Sequence, residues 1–158
     1  MSPRLLRRVM NLWPPYLGAG ICVRRIAGDW SEAVVELRDR LVNRNFVGTH
    51  FGGSLFAMTD PFYALMLMHR LGERYLVWDQ AATIEFVAPG RGTVAAHFVV
   101  SDETVEKIKA EAQNGAKVLP QFDVEVRNRT GELVARVRKT IYVRLKPRFR
   151  PHPQQRAA

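Results

Sequence analysis

One cysteine, Cys22, is all that the 158 residues hold. A lone thiol excludes an intrachain disulfide framework, so nothing in the chain calls for an oxidising compartment. Long hydrophobic runs are missing as well. None reaches the ~18–20 residues that a helix needs to span a bilayer. The basic start (Arg4, Arg7, Arg8) leads into a short apolar stretch broken by Pro14-Pro15, with no small-residue cleavage site of a secretory signal. These absences predict a soluble, cytoplasmic protein. No His, Cys or carboxylate positions show metal-ligand spacing such as His-Glu-x-x-His, so no metal is expected. Helix-turn-helix, zinc-finger and aromatic ribonucleoprotein motifs are absent too, which argues against nucleic acid as a partner.

Acidic residues are scarce: 15 against 24 lysines and arginines, for a net charge of +9. The excess sits at the ends, in Arg4, Arg7 and Arg8 and then in Arg144, Lys146, Arg148, Arg150 and Arg156. Removing those eight from +9 leaves +1, so the middle of the chain is not a polyanion-binding face. Pro147, Pro151 and Pro153 argue for a solvated tail without regular structure over residues 146–158. What remains suits one domain, residues 15–145, preceded by an N-terminal helix within residues 1–14.

Leu5, Leu6, Val9, Met10, Leu12 and Trp13 lie between arginines at helical spacing. The helix is expected to pack on the domain or on a neighbouring subunit rather than on a membrane, being short and holding a single tryptophan. Residues 17–27 and 33–37 read as two strands of a hairpin turned at Gly28-Asp29. Residues 38–48 read as a polar loop. Residues 52–71 are apolar on most sides, the signature of a buried helix, with Pro61 interrupting it. Strands are expected over 75–87, 93–100, 118–126 and 133–144. A surface helix over 102–114, capped by Ser101 or Asp102, is inserted among them. In the last strand neither face is cleanly apolar, which leaves its orientation open. Hairpin-linked strands and one buried helix predict an α+β fold, an antiparallel sheet with the helix across one face.

The densest chemistry lies where the loop Asn45-Phe46-Val47-Gly48-Thr49-His50-Phe51-Gly52-Gly53 runs into the buried helix. A helix start offers unpaired N–H groups, and the glycine pair lets a substrate approach them. Asp60 follows two turns on. Such donors with a nearby carboxylate are the raw material of acyl transfer or hydrolysis. Asp60 followed by Pro61 also fits a helix restart, with Asp60 as N-cap. His50 reads either as a base or as a loop histidine bonded to backbone. Asn43 and Asn45 either orient a substrate or tolerate left-handed turns. Phe51 and Leu55, with Met58 and Phe62, either line an acyl pocket or belong to the core. Arg91, in the turn Pro89-Gly90-Arg91-Gly92, suits phosphate through paired hydrogen bonds, or is solvated.

The segment Gly52-Gly53-Ser54-Leu55-Phe56-Ala57-Met58-Thr59-Asp60 resembles the Gly-Gly…Leu-Ala-Asp segment of hotdog-fold acyl-CoA thioesterases of the phenylacetate-pathway type. With Asn45…Gly53, Trp78-Asp79-Gln80-Ala81-Ala82 and Pro89-Gly90-Arg91-Gly92, the chain is similar to a little-characterised, thioesterase-like branch of that superfamily, over residues 12–145. The resemblance implies a curved antiparallel sheet wrapped around a long central helix. It implies an acyl-CoA or acyl-carrier thioester as substrate and no cofactor besides the coenzyme A of that substrate. Gly53 N–H, with Gly52, becomes the oxyanion donor, and Asp60 the nucleophile or base. Arg91 meets coenzyme A phosphates. A homodimer or tetramer built through edge strands is implied, with sites at the interface. Two departures stand out: Phe51 separates His50 from the glycine pair, and Pro61 follows Asp60. His50-Phe51 after Gly48 also resembles the Gly-His-Phe of hotdog dehydratases, which implies a hydratase or dehydratase using His50 and Asp60. A non-catalytic acyl-CoA or lipid-like ligand-binding protein is the remaining alternative.

Overall fold

The structure, a computed structural model, describes residues 1–151. Six strands form one antiparallel sheet: β1 (Ile21–Ile26), β2 (Glu32–Leu37), β3 (Tyr75–Phe86), β4 (Val94–Val99), β5 (Gln121–Asn128) and β6 (Leu133–Leu145). Their order across the sheet is β1-β2-β4-β5-β6-β3. The helices are α1 (Pro3–Leu12), α2 (Pro14–Ala19), α3 (Gly52–Ala57), α4 (Phe62–Leu71) and α5 (Asp102–Ala112). The segment holding α3 and α4 is buried against the sheet. Met58, Phe62, Met66 and Leu67 share one core with Val35, Phe98, Val137 and Ile141, all at most 1% exposed. The expected curved sheet around a central helical segment is thus the observed architecture.

The buried helix is two helices. α3 ends at Ala57, and α4 begins at Phe62 with Pro61 in the cap position and no side-chain cap. Proline lacks an N–H and breaks the ladder there. The expected N-cap role of Asp60 is therefore not realised, because its carboxylate is drawn to Lys139 instead. The first strand is also shorter than expected. Pro14-Pro15 opens α2, and Gly20, at φ 80°, ends it in the left-handed conformation that glycine adopts without steric cost. The β1–β2 hairpin forms as expected, with a register shift between Val23 and Arg25. Ser101, not Asp102, caps α5: its hydroxyl accepts from Thr104 N–H at 3.1 Å.

β6 resolves the face left open by its sequence. Ala135, Val137, Lys139, Ile141, Val143 and Leu145 are buried, whereas Arg136 and Arg138 face solvent beside Glu125 and Asp123. α1 lies along β1, with Leu6 and Met10 in the core. Asn11 Nδ2 donates to Val23 O at 3.0 Å, and Asn11 Oδ1 accepts from Val23 N–H at 2.7 Å. At the other end of the sheet, β3 is half-exposed along its 12 residues and pairs on one side only among the described residues. The basic tail is not wholly irregular: Pro147–Phe149 form a 3-10 turn, with the Arg74 guanidinium over the Phe149 ring. The part of that tail holding His152, Pro153 and Arg156 lies outside the described residues. No helix among the described residues is long and apolar enough to cross a membrane.

Candidate functional site

The loop from Arg38 to Phe51 is held by its own side chains. Asn43, expected to turn left-handed or meet substrate, is buried and not left-handed: its amide donates to Ala19 O and Arg38 O at 2.7 and 2.8 Å and accepts from Arg40 N–H. Asn45 Oδ1 accepts from Val47 and Thr49 N–H, and its Nδ2 donates to Thr49 Oγ1 at 2.8 Å. Only Gly48, at φ 74°, takes the left-handed turn that shape requires. Asp39 Oδ2 accepts from Gly92 N–H at 2.9 Å and so ties the loop to the 89–92 turn. The Arg44 guanidinium beside Asp39, and then the Gly92 N–H, hold its carboxyl below the usual range despite partial burial.

His50 completes that tie. Its N–H donates to Gly90 O at 2.9 Å, and its ring Nε2 lies 2.6 Å from Gly92 O. A carbonyl only accepts, so Nε2 carries a proton and donates it to Gly92 O. The ring is buried, and Nδ1 has no hydrogen-bond partner among the described residues.

Between this loop, the start of α3 and the end of β3 lies a cavity of about 440 Å³. Asn45, His50, Gly52, Leu55, Phe86 and Arg91 are on its wall. Arg91 is exposed and donates to Gly48 O at 3.4 Å. Ser54 and Leu55 N–H both bond Phe51 O, whereas Gly52 and Gly53 N–H have no acceptor among the described residues. Both glycines have an aromatic ring close by. A Cβ on Gly52 would stand 2.9 Å from Phe86 Cζ, and one on Gly53 would stand 2.3 Å from Phe51 Cε1. The Phe51 ring, half-exposed, lies over Gly53 and off the cavity wall.

Asp60 belongs to a second cluster. Lys139, 2% exposed on β6, places Nζ 2.8 Å from Asp60 Oδ1 and 2.9 Å from Asp79 Oδ1. The Asp60 contact is a hydrogen bond, whereas the Asp79 contact is an ion pair outside hydrogen-bonding angles. Burial alone would push the Lys139 ammonium down; the two carboxylates outweigh it and leave its pKa raised. The Tyr16 hydroxyl donates to the Asp60 main-chain carbonyl. Burial, then the Asp60 charge, push that phenol up. Although it sits in a largely apolar segment, the Asp60 side chain is 59% exposed and paired with a cation.

Of the sequence-derived candidates, the cavity gathers Asn45, His50, Gly52, Leu55 and Arg91. Gly53, Phe51 and Asp60 are not on its wall. Sequence reasoning passed over Lys139, Asp79, Tyr16 and Asp39. For Lys139 a signal existed: it is the one charged residue in the alternation from Ala135 to Leu145 that otherwise faces inward as apolar side chains.

No curated protein sequence matches the chain. Solved structures do. PA5026 of Pseudomonas aeruginosa, a protein of unknown function described as a probable thioesterase, is similar at a TM-score of 0.79 and 16% identity, over 92% of this chain and 97% of that one. The thioesterase HI1161 of Haemophilus influenzae gives 0.66 and 13%, over 92% of both chains. The PaaI protein of the Escherichia coli phenylacetic acid degradation operon gives 0.62 and 20%, over 90% of this chain and 92% of that one. These likenesses establish the hotdog fold. The model of a domain of unknown function, DUF4442, matches residues 3–143, nearly the whole chain. The protein is a member of the DUF4442 family, a hotdog-fold branch whose function is not defined.

Proposed function

We propose that this chain hydrolyses acyl thioesters, acyl-CoA or the acyl-carrier form, in an oligomer whose sites combine two copies. The observation that carries the reading is the cavity of about 440 Å³ at the start of α3, with Gly52 on its wall and two unpaired N–H groups beside it. Its mixed lining suits an acyl chain ending in a polar thioester. Similarity to structures described as thioesterases supports the same chemistry.

In this reading the thioester carbonyl oxygen takes the N–H groups of Gly52 and Gly53 as its negative charge develops. Donors of that kind are worth about 3–4 kcal/mol of barrier. Water attacks the carbonyl carbon, the C–S bond breaks, and the water proton passes through a carboxylate to the departing thiolate. Products are a carboxylic acid and a free thiol. Asp60 is that carboxylate. It is exposed, with Oδ1 fixed by Lys139, and it does not line its own protomer's cavity. The half-exposed, singly paired edge of β3 supports pairing with a second copy, which would bring the partner subunit's Asp60 to this cavity. Arg91 at the mouth serves the phosphates of coenzyme A.

The test is thiol release from a panel of acyl-CoAs. Wild type should turn over, and Asp60→Asn should lose at least ~100-fold in kcat. Mixing Asp60→Asn with Gly52→Leu should restore about a quarter of wild-type turnover, because mixed dimers hold one intact site. Unchanged turnover in Asp60→Asn removes the carboxylate from the chemistry. The unpartnered Nδ1 of His50 favours one second reading, hydration of an enoyl thioester with His50 as base. Water addition to enoyl-CoA without thiol release, lost in His50→Gln, would select it. Binding of acyl-CoA with neither reaction would leave a ligand-binding protein.

A further inference from the structure

The first 28 residues carry five arginines, Arg4, Arg7, Arg8, Arg24 and Arg25, and no carboxylate. Folding gathers all five around one depression of about 420 Å³ between α1 and β1. Arg24 and Arg25 each face an acid, Glu36 at 3.5 Å and Glu32 at 3.6 Å, in exposed pairs of little strength. Arg4, Arg7 and Arg8 have no carboxylate within 4 Å among the described residues. Arg7 spends one N–H on Arg24 O at 3.3 Å, which holds α1 and β1 together on this face.

An apolar stripe runs beside this basic cluster. Leu6 and Met10 turn inward from α1, whereas Leu5, Val9 and Leu12, at i, i+4 and i+7, stand 50–72% exposed on its outer side. Trp13 and Leu17 carry the stripe onto α2, each about half-exposed. A single exposed leucine is ordinary; five large apolar side chains in a row, flanked by unpaired arginines, are not. The helix alone is short for a membrane-surface element, but α2 and the β1 arginines extend its face beyond α1.

We infer that this face docks on an anionic lipid surface, with the arginines on headgroup phosphates and Leu5, Val9, Leu12 and Trp13 sunk at the acyl boundary. Charge selects this occupant. A second copy laid on the same face would bring five arginines against five arginines. A nucleic acid would satisfy the arginines and leave the stripe in water. The face lies on β1, at the opposite end of the sheet order from β3, so pairing of copies through β3 leaves it open. The inference is independent of the chemistry at the cavity.

The experiment is co-sedimentation of the full chain with phosphatidylcholine vesicles, with and without phosphatidylglycerol. Binding should require phosphatidylglycerol and weaken as salt is raised. Arg4→Gln with Arg8→Gln should lower partitioning about 25-fold, roughly fivefold per arginine. Leu12→Ser should lower it several-fold with folding unchanged by circular dichroism, since the side chain is exposed. Trp13 emission should shift to the blue on binding, a change absent in Trp13→Phe. No binding to anionic vesicles overturns the inference. So does binding that Leu12→Ser leaves intact, which would mean charge alone. Conversion of a sedimenting oligomer to monomer by Leu12→Ser would assign the stripe to a second copy and overturn it as well. Tighter binding to a single-stranded oligonucleotide than to vesicles, unaffected by Leu12→Ser, would do the same in favour of nucleic acid.

Discussion

Removing both carboxylates that face Lys139 should cost more than the two single changes together. The Lys139 side chain is 2% exposed, with Asp60 and Asp79 within 3 Å of Nζ. In Asp60→Ala the ammonium keeps Asp79, and the lost partner was largely in water, so the cost is about 1 kcal/mol. In Asp79→Ala the lost partner was only 23% exposed, and the cost is about 2 kcal/mol. The double variant leaves a buried charge with no counter-ion, which costs about 5 kcal/mol, an excess of about 2 over the sum. Urea unfolding at pH 7, followed by circular dichroism, measures all three. pH supplies a second check. The folded-state pKa of Lys139 is raised, so its contribution is fully present below the unfolded lysine value of ~10.4 and is lost as pH rises through the folded value. The gap between wild type and double variant should therefore narrow toward alkaline pH, where the stranded lysine can shed its proton. Additive costs, or a gap that does not change with pH, would refute the pairing as described.

Glycine substitutions around the cavity should divide by what surrounds them. A Cβ on Gly90 would stand 3.0 Å from His50 Cδ2 and 3.1 Å from Val134 Cγ1, both buried, so Gly90→Ala should cost about 1–3 kcal/mol in urea unfolding. Gly52→Ala meets only the half-exposed Phe86 ring and should leave stability within ~1 kcal/mol while slowing thioester turnover. Burial, then the Asp123 charge, push the Tyr63 phenol up to about 12. Its contribution is complete below the unfolded tyrosine value of ~10 and is lost as pH rises from there through about 12. Stability measured from pH 9 to 12 should therefore fall less steeply in Tyr63→Phe than in wild type.

The architecture was legible because local signals agreed with one another. Alternation marked β2, Ser101-Asp102 marked the start of α5, and apolar residues on most sides marked residues 52–71 as buried. The misreadings have specific causes. Pro14-Pro15 reads as a break in the N-terminal apolar stretch, but proline is also favoured in the first turn of the next helix, which Gly20 then closes. Asp60-Pro61 fits a capping pattern, but a cation 79 residues away in sequence competes for that carboxylate, and no local pattern reports such a partner. Lys139 broke the inward alternation of β6 and made both faces look mixed, although it is a buried charge awaiting its acids. The glycine pair correctly marks the start of α3. Spacing along one chain does not reveal that Asp60 lies away from the cavity that Gly52 borders.

Asn11 has a bearing on assembly. By both giving to and taking from the main chain of Val23, one side chain does for β1 what a neighbouring strand would do. Among the described residues that border of the sheet is covered by α1, and β3 is left as the free border. A sheet with one free border joins once and stops. Copies that met through β3, as proposed, would close as a pair rather than propagate into a filament.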